Sequence, residues 1–349
     1  MRILLVTQYW YPENGVPQRR WSWLAKILID AGHEVCVVAP PPRNSRSIDD
    51  TTGDSSLTRK VPYKGAEGET IFRSSAYRIG DSITSKAASQ LLIALSQVRT
   101  LFKNRKQIEP DLVIGTVPAL PTAGVTWLAA KIFGRPYVID LRDAWPDLMG
   151  QATSWNAGVG DPSIREKLAK NGLLQLVTRV STKVLNSLLR GARAILVTSS
   201  TLKASLESRR ELSTRGASPE VVVIRNVFPV ASQPTGDRGS HRKSGHLNVL
   251  YAGTIGRAQN LQNALEAAKL AKQQGLQVHM IFVGAGAARE LLQEKAQEFG
   301  VDARFIRLKP AELLNAYYDW ADTALVHLAE WEPLRRTVPS KTYELLFNR

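Results

Sequence analysis

Asn248-Val-Leu-Tyr-Ala252 is a short apolar run that stops at Gly253-Thr-Ile-Gly-Arg257, and Leu261, Ala264, Leu265 and Ala268 then recur along one helical stripe. An apolar strand, a glycine turn and an amphipathic helix make the opening of a βαβ unit. The same rhythm extends in both directions. Downstream, the pattern predicts strands over 277–283, 304–306 and 323–328, with helices over 287–299 and 311–319 between them. Upstream, strand-like runs fall at 2–7, 33–39, 70–73, 112–116, 137–140, 194–198 and 221–224. Pro17 opens a helix carrying Trp21, Leu24, Ala25 and Leu28 on one face, and Gly32 is placed to end it. Alternation of this kind specifies parallel sheets covered by helices, so the fold class is α/β.

The rhythm is interrupted once at length. Phe228 to His246 holds Pro229, Pro234, Gly236, Gly239 and Gly245 among Ser, Arg and Lys, a composition that sustains neither strand nor helix. The chain therefore divides into an N-terminal Rossmann-like domain over 1–228, a linker over 229–246 and a second Rossmann-like domain over 247–349. A length of 349 residues suits two cores, and 44% hydrophobic with 22% charged residues is ordinary for a globular chain. Residues 40–57, rich in Pro, Ser and Asp, are expected to form a loop. The uncharged run 112–130 is split by Pro118 and Pro121 into strand, loop and helix, which argues against a membrane span.

The single cysteine, Cys36, excludes an intrachain disulfide and points to a reducing cytoplasm. The five histidines show no ligand spacing, and no metal site is expected. A net charge of +15, weighted toward the first 200 residues, suits a phosphorylated substrate or an anionic membrane surface. Charge alone would be the whole case for nucleic acid, which is not expected as a partner. The helical stretches 85–106 and 164–190 combine Leu, Ile and Val with Lys and Arg. Each fits either a helix packed on its sheet with a basic outer face or one lying on a membrane.

Four segments can carry chemistry. In Glu332-Pro-Leu-Arg-Arg-Thr-Val-Pro-Ser-Lys-Thr-Tyr-Glu344, Pro339 and Ser340 mark a helix start whose free amides and dipole favour a phosphate. Lys341 adds charge there. Glu344, one turn on, either accepts from a ribose diol or pairs with Lys341. In the turn at 251–260, Gly253 and Gly256 would admit a diphosphate to the backbone, with Thr254 donating and Arg257 neutralising. Val283-Gly-Ala-Gly-Ala-Ala-Arg289 repeats this logic at Gly284, although a tight strand-to-helix turn explains it as well. In the first domain, a backbone nest at Gly15 flanked by Arg19 and Arg20 suits an anion. Asp140-Leu-Arg-Asp-Ala-Trp-Pro-Asp147 crowds Arg142 and Asp143 where they could orient a hydroxyl or steady developing charge, or simply cap a loop.

Taken together and in order, these segments resemble the family 4 glycosyltransferases. The likeness rests on Gln8-Tyr-Trp-Tyr-Pro-Glu13 with Gly15, Gly32-His-Glu-Val35, Arg142-Asp-Ala-Trp-Pro-Asp147, Arg225-Asn-Val227, Tyr251-Ala-Gly-Thr-Ile-Gly-Arg257, Val283-Gly-Ala-Gly286 and Val338-Pro-Ser-Lys-Thr-Tyr-Glu344. It implies a GT-B architecture, two Rossmann-like parallel-sheet domains facing across a cleft. It further implies a retaining transfer of a sugar from a nucleotide donor, UDP-linked, to a lipid-linked glycan or polysaccharide, with no cofactor or metal required, at the cytoplasmic membrane face. The Gly-Thr-Ile-Gly-Arg and Pro-Ser-Lys wording is similar to the branch that transfers N-acetylated amino sugars such as fucosamine.

By the same likeness Glu344 matches the glutamate that holds the nucleotide ribose, whereas the Arg and Lys that many members place after the first strand of the second domain are missing, since Thr254 and Gln259 or Asn260 fall there, which leaves Arg257 and Lys341 to replace them. With these, Gly253, Thr254, Gly256, Gly284 and Ser340 are the donor-side candidates, and Asp143, Arg142 and Gly15 the catalytic-side ones. Arg336 stands where the family carries the first of its paired glutamates, which leaves Glu332 or nearby backbone to replace it. The family usually continues with further helices, so the resemblance implies a second domain shortened at its C-terminal end. A GT-B sugar-nucleotide epimerase and an inactive nucleotide-sugar-binding chain are the alternatives.

Overall fold

A computed structural model describes residues 1–12, 15–42, 61–80, 83–117, 119–150, 173–212, 218–227, 245–307 and 313–347. They form two compact units, Met1–Pro146 with Arg179–Phe228, and Asp147–Thr178 with Pro229–Arg349. Most of the residues expected to link the domains, and those expected to loop over 43–57, lie outside the described set, as do 164–172 of the second basic stretch.

The first unit is built on an eight-stranded sheet. Its strands are β1 (Arg2–Val6), β2 (Glu34–Ala39), β3 (Tyr63–Lys64), β4 (Thr70–Arg73), β5 (Leu112–Val117), β6 (Tyr137–Leu141), β7 (Ala194–Val197) and β8 (Glu220–Val223), in the order β3-β4-β2-β1-β5-β6-β7-β8. Every pairing is parallel except β3 with β4. Parallel strands buried on both faces read as unbroken apolar runs, and β1 is one: Ile3, Leu4, Leu5 and Val6 are all buried. The period of two sends them to opposite sides. Leu4 and Val6 join Cys36, Val38 and Val113 in one core, while Ile3 and Leu5 join Val35, Val37 and Ile114 in the other.

The helices complete both layers. Val16–Asp30 ends as the sequence predicts: Gly32 takes φ +83, and the amides of Gly32 and His33 bond Ile29 O and Leu28 O. Pro121–Phe133 packs so closely on β5 that a Cβ on Gly115 would sit 1.8 Å from Thr126 Oγ1. The stretch 112–130 is thus a strand followed by a helix. Among the described residues, no helix is long and apolar enough to cross a membrane.

The second unit holds a four-stranded parallel sheet of β9 (Leu247–Ala252), β10 (Val278–Val283), β11 (Asp302–Ile306) and β12 (Thr323–Ala324), in the order β11-β10-β9-β12. Val249, Tyr251, Met280 and Phe282 face a core with Leu261, Leu265, Leu292 and Ala296 from helices Gln262–Gln273 and Arg289–Glu298. Leu250, Ile281, Val283 and Trp320 form the core of the other face. The strand order reverses direction at β9 and β12, and in open α/β sheets ligands gather beyond the strand carboxyl ends at such a point.

The last strand is shorter than its apolar run predicts. Leu325 N still reaches Leu250 O at 2.7 Å, but His327 Nδ1 then meets Gln259 O at 2.8 Å and Ala329 N donates to Ala258 O at 2.8 Å. Residues 327–329 leave the sheet to line the turn that follows β9.

Candidate functional site

Beyond the end of β9 the chain makes the turn Gly253–Gly256, and two glycines of the next loop lock against it. A Cβ on Gly284 would lie 1.8 Å from Gly253 O, and one on Gly286 would lie 2.1 Å from Ile255 O. The two backbones are joined by Gly253 N→Val283 O at 2.8 Å, Ile255 N→Ala285 O at 2.9 Å and Ala288 N→Ile255 O at 3.1 Å. Gly284 N is taken by Ile306 O, and Gly256 N by Gln259 Oε1. The amides of Gly253, Gly256 and Gly284 are thus committed to protein acceptors. What these glycines supply is close chain packing, which fixes the turn. Thr254 remains exposed on it. Arg257 starts the short helical turn Arg257–Gln259, half-buried, with no hydrogen-bond partner for its Nε among the described residues.

The helix Ser340–Phe347 begins at the predicted place, with Ser340 as its first helical residue. Its first turn has amides that no carbonyl of the helix can satisfy. Lys341 from that turn reaches the end of β9. Its Nζ lies 3.4 Å from the centroid of the Tyr251 ring, and its Cε would be 2.5 Å from a Cβ on Gly253. Burial pulls the Lys341 ammonium down to about 7, against the pull of Glu344 one turn on. The structure thus brings Lys341, with Ser340 and Glu344 on the same helix, to the Gly253 turn, segments almost ninety residues apart in the chain.

Tyr251 is the member of this group that motif reading passes over. Its side chain is buried, its hydroxyl donates to Thr254 O, and burial holds its phenol above the ordinary range. The signal was present in principle, since a tyrosine at the inward register of a strand end needs a partner for its hydroxyl.

Arg336 precedes the helix in the turn Glu332–Arg336. Its guanidinium donates to Asp147 Oδ2 at 2.6 Å and to Glu332, with 14% of the side chain exposed. Burial works against its charge, but the bonds from Asp147 and Glu332 outweigh it and keep its pKa raised. Glu332, the suggested replacement for a donor-contacting glutamate, accepts from this arginine and keeps 69% of its side chain exposed.

In the first unit the candidates separate. Gly15 is the N-cap of helix Val16–Asp30 with φ −90 and ψ 167, an extended conformation. Arg20, expected to flank it, turns instead into the core. It is fully buried, holds Asp140 through Nε at 3.3 Å and Nη2 at 3.1 Å, and donates from Nη1 to Ile224 O and Asn226 Oδ1. Trp21 Nε1 bonds the same carboxylate at 2.7 Å. Asp140 is therefore a structural tie between helix and sheet. Arg20 lies one turn before Leu24 on the apolar stripe, and that placement was the readable sign.

Arg142 and Asp143 follow β6. Burial drives the Asp143 carboxyl upward, opposed by Arg142, and burial lowers Arg142, opposed by Asp143. Arg142 Nε has no hydrogen-bond partner among the described residues, while Arg142 O accepts from Thr198. A carboxyl whose pKa is pushed up by burial beside a buried guanidinium is placed to hydrogen-bond a hydroxyl. Among the described residues, no group of three His, Cys, Asp or Glu side chains could hold a metal ion.

Residues 15–227 match the glycosyl transferase 4-like domain, a match covering more than half of the sequence. The chain belongs to the glycosyl transferase 4-like family. Residues 235–337 further match glycosyl transferases group 1. A curated relative, the putative colanic acid biosynthesis glycosyl transferase WcaI of Escherichia coli (strain K12), is 28% identical over 337 residues, 93% of this chain and 76% of the relative. Among solved structures, sucrose-phosphate synthase (tll1590) from Thermosynechococcus elongatus superposes with a TM-score of 0.64 at 14% identity, over 93% of this chain and 75% of that one. Anabaena Alr3699/HepE in complex with UDP and glucose gives 0.58 at 15% identity, over 94% and 74%. The fold of this glycosyltransferase is GT-B, with parallel sheets in two domains.

Proposed function

We propose that this glycosyltransferase moves a sugar from a UDP-linked donor to a lipid-linked glycan, with retention at the anomeric carbon. The reading rests on one observation: at the strand-order reversal of the second sheet, Lys341 and the first turn of its helix meet the end of β9 beside Gly253. A helix N-terminus with an adjacent ammonium suits a diphosphate, and Glu344 on the same helix suits a ribose diol. The bound UDP and glucose in the Anabaena structure, and the colanic acid role named for the Escherichia coli relative, agree with this choice of donor and acceptor class.

In the proposed reaction the bond between the sugar C1 and the diphosphate oxygen breaks and a bond from the acceptor oxygen to C1 forms on the same face. The acceptor proton passes to the departing diphosphate. The chain's task is to stabilise the charge of that leaving group, which Lys341, Ser340 and Arg257 would do, and to orient the acceptor hydroxyl, assigned to Asp143 and Arg142 on the first unit. A membrane-borne acceptor also fits helix Ile83–Lys103, which has no acidic residue and leaves Leu91, Leu95 and Phe102 exposed among Lys86, Arg99 and Lys103.

Calorimetric titration with UDP tests the donor half directly. Binding is expected for the unaltered chain and should weaken at least tenfold in Lys341→Ala and in Glu344→Ala. Unchanged affinity in both variants would sink the assignment of the site.

A further inference from the structure

Lys341 carries a long, flexible side chain, and a lysine is useful to a leaving group only where its ammonium is already placed. The structure shows what places it. On one side is the face of Tyr251, 3.4 Å from Nζ to the ring centroid. On the other is the bare Cα of Gly253, where a Cβ would come within 2.5 Å of Lys341 Cε and 2.9 Å of Nζ. The ring is itself immobilised: it is 1% exposed, lies 6.1 Å from the Phe282 ring and is tied by its hydroxyl to Thr254 O. Its electron-rich face attracts a cation without forming an ion pair, so the ammonium is held and its charge is not cancelled. A carboxylate in the same place would position the lysine equally well but would compete with a phosphate for it. Because Gly253 takes φ +136, a side chain at that position would be strained as well as crowding the lysine.

We propose that Tyr251 and Gly253 are positioning residues that seat the Lys341 ammonium at the end of β9 for contact with the donor diphosphate. This rests on the reading of the site given under Proposed function. Neither residue need touch the donor itself. Their effect on donor binding passes through Lys341, and so vanishes when Lys341 has no charge to place.

The test is a double-mutant cycle on the full chain, with UDP as probe and calorimetric affinity as readout. Tyr251→Leu should weaken UDP binding about tenfold, whereas Tyr251→Phe, which keeps the ring face, should stay within about twofold. In a Lys341→Met background Tyr251→Leu should cost nothing further. Because Tyr251 is a core residue, Gly253→Ala provides a second route on the opposite side of the lysine: it should weaken UDP several-fold more in the parent than in Lys341→Met, where only the strain of the turn remains. If either variant weakens UDP as much without Lys341 as with it, or if Tyr251→Phe loses as much as Tyr251→Leu, the positioning role is overturned. Full UDP affinity in Lys341→Met would likewise overturn it while leaving a donor site based on Glu344 intact. Failure of the unaltered chain to bind UDP would remove the donor reading and this inference together.

Discussion

Lys341 makes the site sensitive to pH in a direction that can be worked out. Burial lowers its pKa from 10.5 to about 7, with Glu344 opposing. An anion bound beside it favours the charged form, so the bound state holds its proton more tightly than the free state. Below about 7 the free protein already carries the charge and affinity for UDP is at its maximum. As pH rises through that value, binding must take up a proton, and affinity falls by about tenfold per pH unit until the pKa of the bound state is reached. Lys341→Arg stays charged throughout and should remove this decline, whatever it does to affinity at neutral pH. Titrations with UDP across the neutral to mildly alkaline range, on both proteins, measure the two slopes. A parent slope equal to that of Lys341→Arg would show that the lysine does not titrate on binding. The sequence made Lys341 legible as a charge at a helix start, but not its low pKa. That comes from burial against segments that include Tyr251 and Gly253, ninety and eighty-eight positions away, whose approach the sequence pattern does not encode.

At the scale of elements, the apolar runs and glycines of the sequence mark nearly every strand of both sheets, because a parallel strand buried on two faces has little freedom in composition. The run at 323–328 reads as a full strand, yet the strand ends at Ala324, and beyond it the His327 ring meets Gln259 O and Ala329 N donates to Ala258 O, so the chain follows the neighbouring turn rather than the sheet. The glycines of 253–256 and 283–286 mark a close approach correctly, but their use of amides depends on which chain lies alongside. Helix Ile83–Lys103 divides cleanly: Ile93, Ala94, Gln97 and Leu101 face inward, while Leu91, Leu95 and Phe102 stay 56%, 67% and 51% exposed. Each basic residue near an anionic surface contributes about 1 kcal/mol, and each inserted apolar side chain adds roughly 1.5–3 kcal/mol if fully buried. Sedimentation with vesicles should therefore show binding to anionic lipid that weakens with salt, and at least tenfold loss in Leu91→Ser/Leu95→Ser/Phe102→Ser. Equal partitioning of the triple variant would mean that this face does not meet the membrane.

For the whole molecule, the two units give the donor proposal a spatial signature. Every residue that gathers at the end of β9, from Tyr251 and Gly253 to Lys341 and Glu344, belongs to the second unit. A ligand bound there at one hundred times its Kd stabilises the state that holds it by about 2.7 kcal/mol, and does so first in the segments that open locally without it. The helix Ser340–Phe347 is such a segment, two turns of backbone whose residues Ser340–Leu345 are only half-buried. Hydrogen exchange on the full chain with saturating UDP should slow amides across 340–347 and around the 253–257 turn most, with the strands of the first sheet least affected. In Lys341→Met the same UDP concentration should give little protection in either segment. Protection confined to the first unit, around Gly15 or Arg142, would place the nucleotide on the other sheet and would require the donor and acceptor assignments to be exchanged.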